Sequence, residues 1–103
     1  NVISRQGLLA ASQQYPDAQT WVHAWLQIAK KAHWTCLPDV RQVYRDADQV
    51  GECLVFDVRG NNYRLITTVL WAVRGKSNGT LFIKYFLTHA EYDRDGWKGC
   101  CYP

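Results

Sequence analysis

Six side chains in the second half of the chain could do chemistry together: Arg64, Lys84, His89 and Tyr92, with Asp57 and Arg59 beside them. Two cations bind a phosphate, and an Arg can do so bidentately. A His with an ordinary pKa near ~6.5 moves a proton at neutral pH. A Tyr stacks on a splayed-out base or hydrogen-bonds a backbone oxygen. His89 and Tyr92 stand at i, i+3, so one helical turn presents both on one side. These are the minimum parts for metal-independent RNA cleavage, in which the ribose 2′-OH is deprotonated and attacks the adjacent phosphorus while Arg and Lys stabilise the crowded charge. Each part also has a plainer role. Arg64 could be ion-paired with Asp57, Lys84 could protect an edge strand, His89 could be structural, and Tyr92 could be a core aromatic.

The elements that must position these groups centre on Leu54–Trp71, which reads as two strands joined at Gly60-Asn61, residues that tolerate positive φ in tight hairpins. A two-residue loop there pairs Arg59 with Asn62, Val58 with Tyr63, Asp57 with Arg64, and Phe56 with Leu65. Because side chains alternate, Phe56, Val58, Tyr63 and Leu65 share an apolar face, and Asp57, Arg59, Asn62 and Arg64 share a polar one. Lys76-Ser77-Asn78-Gly79 makes a second turn into a strand over Leu81–Leu87. Lys84 is the only charge in that strand, which assigns its face to the side of Arg64. From His89 onward a short helical turn precedes a loop.

Upstream, Val2-Ile3 suits a short terminal strand. Ser4 caps a helix from Arg5 to about Tyr15, and Pro16 ends it. Asp17 is placed to cap a second helix from Ala18 to about Ala32, with Trp21, Trp25 and Ile28 at helical spacing and Lys30 and Lys31 in its last turn. Pro38 starts a short helix through Tyr44, followed by an Asp46-Ala47-Asp48 loop. Trp21, Trp25 and Trp34 are expected in the core, and His23 and His33 have no chemical role. The fold class is α+β: a small antiparallel sheet with two N-terminal helices packed on one face and the other face left open.

The 103 residues suit one domain spanning 1–103, and 48% hydrophobic content is globular. Net charge is +3, from 12 basic and 9 acidic residues without a polybasic stripe, which permits nucleic-acid binding without arguing for it. The uncharged run Leu65–Val73 is too short to span a bilayer, so no membrane partner is expected. The opening Asn1-Val2-Ile3-Ser4-Arg5 lacks a basic segment followed by an apolar run, so no signal peptide is expected. Cys36, Cys53, Cys100 and Cys101 are irregularly spaced and offer no zinc-ligand pattern, which predicts reduced cysteines in a cytoplasmic protein and no metal or cofactor.

The segments Val55-Phe56-Asp57-Val58-Arg59-Gly60-Asn61-Asn62-Tyr63-Arg64-Leu65-Ile66 and Phe82-Ile83-Lys84-Tyr85-Phe86-Leu87-Thr88-His89-Ala90-Glu91-Tyr92-Asp93 resemble the HigB-type toxins of bacterial toxin–antitoxin modules, a branch of the RelE-like family. Tyr15-Pro16-Asp17-Ala18, Ala24-Trp25 and Lys31-Ala32-His33-Trp34 fit as well, and Thr88–Asp93 is the most specific part. The resemblance implies a RelE-like fold, cleavage of mRNA on the ribosome, and neutralisation by a HigA-like helix-turn-helix antitoxin. It casts Arg64 as the phosphate-binding Arg, Lys84 as the basic residue of the last strand, and His89 and Tyr92 as groups for proton transfer and positioning. Arg59, Asn62 and Lys98 are the expected RNA contacts. Where RelE itself has a Lys-x-Lys pair, this chain has Val55 and Asp57, which moves the general base to His89, with Asp57 the lesser candidate. A catalytically inactive toxin fold that only binds its antitoxin is the alternative. The closing Trp97–Cys101 stretch offers no further role.

Overall fold

The computed structural model describes residues 1–59 and 62–102. The expected α+β architecture is present: a five-stranded sheet in the order β1-β5-β4-β3-β2, covered on one face by helices. The strands are β1 (Val2–Ile3), β2 (Asp48–Val50), β3 (Cys53–Val58), β4 (Tyr63–Leu70) and β5 (Thr80–Thr88). β1 runs parallel to β5, and the other three pairings are antiparallel.

Ser4 caps α1 (Arg5–Ser12), its Oγ accepting the Gly7 amide at 3.0 Å. The helix ends short of Tyr15 because Ser12 turns its hydroxyl onto the Leu9 carbonyl and the Gln14 and Tyr15 amides tighten onto carbonyls three residues back. Pro16–Ala18 is a 3₁₀ turn, and Asp17 does not cap α2 (Gln19–Ala29). Its carboxylate instead accepts the Tyr63 hydroxyl at 2.8 Å, tying the turn to the start of β4. α2 stops before Lys30 and Lys31, so neither lies in its last turn, and Ile28 is exposed. α3 (Leu37–Arg41) has Pro38 in its first turn, as expected, and ends before Tyr44. Arg41 then holds the next loop, donating to the Ala47 carbonyl at 2.9 Å and pairing with Asp48 at 3.1 Å. That anchorage helps set β2, which replaces part of the expected loop.

The hairpin register is the predicted one, with Val58 opposite Tyr63, Asp57 opposite Arg64, and Phe56 opposite Leu65. The predicted Gly60-Asn61 loop itself lies outside the described residues; on either side of it the Asn62 amide donates to the Arg59 carbonyl. On the helix side Leu54, Phe56, Val58 and Leu65 pack against Leu8, Val22, Trp25 and Leu26. Trp25 and Tyr44 both meet the Phe56 ring edge-on, with centroids 5.4 and 5.5 Å apart. Trp25 and Trp34 are buried and Trp21 packs partly buried against the same core, as expected.

Two expectations about the sheet need correction. Ile66 faces Tyr85 while Thr67 faces Ile83, so a bulge leaves Lys84 without a cross-strand partner. The bulge shifts the alternation: Tyr85 and Leu87 lie on the side of Arg64, and Phe86 packs with the helices. Nor is the second face left open. A C-terminal 3₁₀ turn (Gly96–Cys100) lies over it, and Trp97 and Cys101 pack with Cys53, Val55 and Ile66 into a second small core. Gly51 makes this possible, because a Cβ there would collide with the Cys101 carbonyl, which accepts the Glu52 amide at 2.8 Å.

Thr67, beside the bulge, is fully buried, and its hydroxyl has no partner among the described residues. Replacing it by Val removes an unsatisfied polar atom, so Thr67→Val should raise the free energy of unfolding by about 1 kcal/mol. Urea denaturation at an unchanged m-value reads this, and a loss of similar size would show that the hydroxyl is bonded in the native state.

Candidate functional site

β4 is a central strand, and Arg64, its second residue, sits between Asp57 on β3 and Leu87 on β5. Its Nε pairs with Asp57 Oδ1 at 3.1 Å, and its Nη1 donates to the Tyr63 carbonyl at 3.1 Å. The guanidinium carbon lies 5.1 Å from the centroid of the Tyr92 ring, a cation–π contact. Only 11% of the Arg64 side chain and 28% of the Asp57 side chain remain exposed. Arg64 is therefore a sheltered cation rather than part of an open bench of charge. Burial pushes the Asp57 carboxyl above its ordinary value, the Arg64 guanidinium opposes that shift, and the Asp46 and Asp48 carboxylates add to it.

Tyr92 reaches this position because α4 (His89–Asp93) starts at a capping box. The Glu91 amide donates to Thr88 Oγ1 at 3.3 Å, and Glu91 Oε1 accepts the Thr88 amide at 3.0 Å. Hydrogen bonds from the Thr88 amide and then the Thr88 hydroxyl hold the Glu91 carboxyl below its ordinary value. The turn then divides its two candidate residues. Tyr92 points onto the sheet, where burial above all raises its phenol, against the pull of Arg64. His89 stays exposed, its Nδ1 3.3 Å from Asp93 Oδ2. Its amide donates to the Asn62 carbonyl at 3.0 Å, fastening the start of α4 to the hairpin end.

The sequence-predicted residues are thus only partly gathered. Asp57, Arg64 and Tyr92 touch, and His89 and Asn62 flank them at the rim. Lys84 is exposed at the bulge, two to three residues along the ladder from Arg64, or roughly 7–10 Å at the rise of a strand. Arg59 is exposed at the hairpin end with φ of 53°. Lys98 pairs with Asp95 at 3.2 Å and lies 5.8 Å from the Trp97 ring centroid. A cleft lies elsewhere, between Asn1, His33 and residues 72–78, near the far end of β4.

Sequence reasoning missed Trp97 and the cysteines. Trp97 is 3% exposed, stacks on Tyr92 with centroids 4.9 Å apart, and donates its indole N–H to the Tyr92 carbonyl at 2.9 Å. The expectation of four reduced cysteines is corrected, because Cys53 and Cys101 form a disulfide, while Cys36 and Cys100 remain thiols. A separation of 48 residues and a vicinal partner gave no spacing signal for that bond. An aromatic doublet five residues apart, Tyr92 and Trp97, was the available hint that the tail folds back.

Residues 18–95, about three quarters of the chain, match the model of the HigB toxin family, described as the RelE-like toxic component of a toxin–antitoxin system. This chain belongs to the HigB toxin family. A search of curated proteins finds no match. Membership makes the chain a RelE-like toxin and implies an antitoxin as its partner. The matched region contains Asp57, Arg64, Lys84, His89 and Tyr92 and stops before Trp97 and the vicinal cysteines. No helix among the described residues of this HigB-family toxin is long and apolar enough to cross a membrane.

The capping box makes the hold on α4 depend on pH. The Glu91 carboxyl is held below 4.5 in the fold, so its contribution is complete above pH 4.5 and is lost as the pH falls through the lowered folded value. Glu91→Gln, which removes the charge and keeps the shape, should cost about 0.3–1 kcal/mol at pH 7. Thermal unfolding of both proteins between pH 7 and 3 should show that difference shrinking below pH 4.5. A difference that stays constant in acid would mean the box does not hold α4.

Proposed function

We propose that this toxin is an endoribonuclease that cuts mRNA on the ribosome without a metal ion, leaving a 2′,3′-cyclic phosphate and a 5′-OH. The observation that supports the reading is the contact of His89 Nδ1 with Asp93 Oδ2, on a turn whose first amide is fastened to the Asn62 carbonyl, two residues before Arg64. A proton held on Nδ1 toward the Asp93 carboxylate leaves the lone pair on Nε2, the state a general base needs. Nε2 takes the ribose 2′ proton, the 2′ oxygen attacks phosphorus, and the bond to the 5′ oxygen breaks, with the leaving oxygen protonated from water.

The other groups divide the remaining work. Arg64 offers an edge of positive charge in a poorly hydrated setting, where it acts more strongly on a phosphorane than an exposed cation would. Tyr92, its phenol pushed up, stays protonated at neutral pH and donates a hydrogen bond to the substrate. Asp57 is engaged with Arg64, which favours His89 over Asp57 as the base. Arg59, Asn62, Lys84 and Lys98 are polar groups with exposed surface around this centre and take the RNA backbone. Residues 1–103 act as one toxin domain in the cytoplasm, and a HigA-like helix-turn-helix antitoxin neutralises it.

One observation favours a second reading. Arg64 is nearly covered by Asp57 and Tyr92, as a purely structural cation would be. On that reading the chain is a catalytically silent toxin fold that binds its antitoxin and regulates transcription.

Expression without the antitoxin separates the two readings, since only a nuclease arrests growth. His89→Gln should relieve the arrest and cut cleavage by about 10²–10⁴-fold in a translating extract containing chelator, with the folded state intact by circular dichroism. Arg64→Lys, which keeps the charge but loses the fork, should also lower cleavage. Full toxicity of both variants would remove the proposed site, and an intact message at high wild-type dose would remove the activity.

A further inference from the structure

The sulfurs of Cys53, Cys100 and Cys101 lie within 4.8 Å of one another. Cys53 opens β3, and Cys101 follows the C-terminal 3₁₀ turn. Both partners of their disulfide are fully buried, so an external thiol has no direct approach to it. Cys100 is different. It is half-buried and keeps its thiol, with Sγ 3.7 Å from Cys53 Sγ and 3.9 Å from Cys101 Sγ. The thiol also donates to the Trp97 carbonyl at 3.2 Å, which holds it in the same turn.

We infer that these three cysteines form a thiol–disulfide exchange site that takes small thiols or dithiols as co-substrates and sets the placing of Tyr92 over Arg64. Exchange needs a thiolate in line with the bond it breaks; Cys100 is in contact with Cys53, beside the bond, and reaches that line by rotation of its half-buried side chain. The Cys100 thiolate attacks Cys53 Sγ; a Cys53–Cys100 bond forms, the Cys53–Cys101 bond breaks, and Cys101 leaves as the thiolate, taking up the proton that Cys100 gave. This step is redox-neutral and moves the bond onto the half-buried sulfur. A dithiol then attacks Cys100 Sγ, releasing Cys53 as thiolate and forming a mixed disulfide. Its second thiol displaces Cys100. Two electrons and two protons have passed from the dithiol to the protein, and the dithiol leaves oxidised.

The consequence runs along a continuous chain of contacts. The disulfide holds the turn that carries Trp97 against the sheet, Trp97 stacks on Tyr92 and donates to its carbonyl, and the Tyr92 ring lies over the Arg64 guanidinium. Without the covalent tie, the tail is held by the Trp97 contacts and by the bond from the Glu52 amide to the Cys101 carbonyl. The reduced form therefore opens the tail more often and loses the backing of Tyr92. The effect on RNA cleavage rests on the ribonuclease reading; the exchange chemistry does not.

The test uses the full-length oxidised protein treated with dithiothreitol, quenched in acid, alkylated and weighed. Cys100→Ser keeps the Cys53–Cys101 bond and removes the relay, so its reduction should be at least about tenfold slower than that of the wild type. Equal rates would overturn the exchange site. Hydrogen exchange at the Trp97 indole N–H should be at least about tenfold faster in the reduced protein, and unchanged exchange would overturn the coupling to Tyr92. Cleavage of a translated message should fall several-fold on reduction of the wild type, whereas equal cleavage by both forms would contradict control of the site. If neither form cuts RNA, the nuclease reading fails, and the alkylation rates and the Trp97 signal still decide the exchange site.

Discussion

A guanidinium sheltered at the centre of a sheet is costly unless its charge is met, and the contact between Arg64 and Asp57 is the constraint around which the rest of this toxin is arranged. Breaking one side of such a buried pair typically costs about 3–5 kcal/mol, because the other charge is left without a counterpart. The hairpin register has to bring Asp57 opposite Arg64, since a slip of one residue in β4 would send Arg64 to the helix-packed face, away from Asp57. α4 has to turn Tyr92 back over the guanidinium, and the tail has to back Tyr92 with Trp97. The ion pair is weak evidence of stability. It is stronger evidence of positioning, because three elements converge to hold one charge.

Much of this was legible in the residues. The alternation across Phe56–Leu65 and the turn-forming residues between them were enough to pair Asp57 with Arg64. The His89 to Tyr92 spacing fitted the short helical turn that carries both. What escaped was non-local. No pattern in Leu81–Leu87 announces a bulge, yet one extra residue moved Phe86 to the helix side and Leu87 beside Arg64. Asp17 looked like a helix cap because capping is a local preference. Tyr63, 46 residues away, claimed its carboxylate instead. Likewise Cys53 meets Cys101 only because β3 and the tail share the second face.

That covered face changes the view of the site. A sheet open on one side would present Arg64 and Lys84 together to a nucleic acid. Here the tail's small core closes part of the surface, Arg64 is sheltered beside it, and the exposed cations Arg59 and Lys84 lie farther out. A partly dry cation has a stronger field than a wet one, so the loss of area is compatible with a gain in effect on a developing negative charge. The matched region ends at residue 95, so it includes Cys53 but stops before Trp97 and Cys101.

The account stands or falls on the route by which the message is broken. The direct measurement is the chemistry of the ends produced when the purified toxin acts on a ribosome-bound message in the presence of chelator. Attack by the ribose 2′ oxygen predicts a 2′,3′-cyclic phosphate on one fragment and a 5′-OH on the other. A 3′-OH and a 5′-phosphate would require an attacking water and would contradict the assignment of His89 and Arg64.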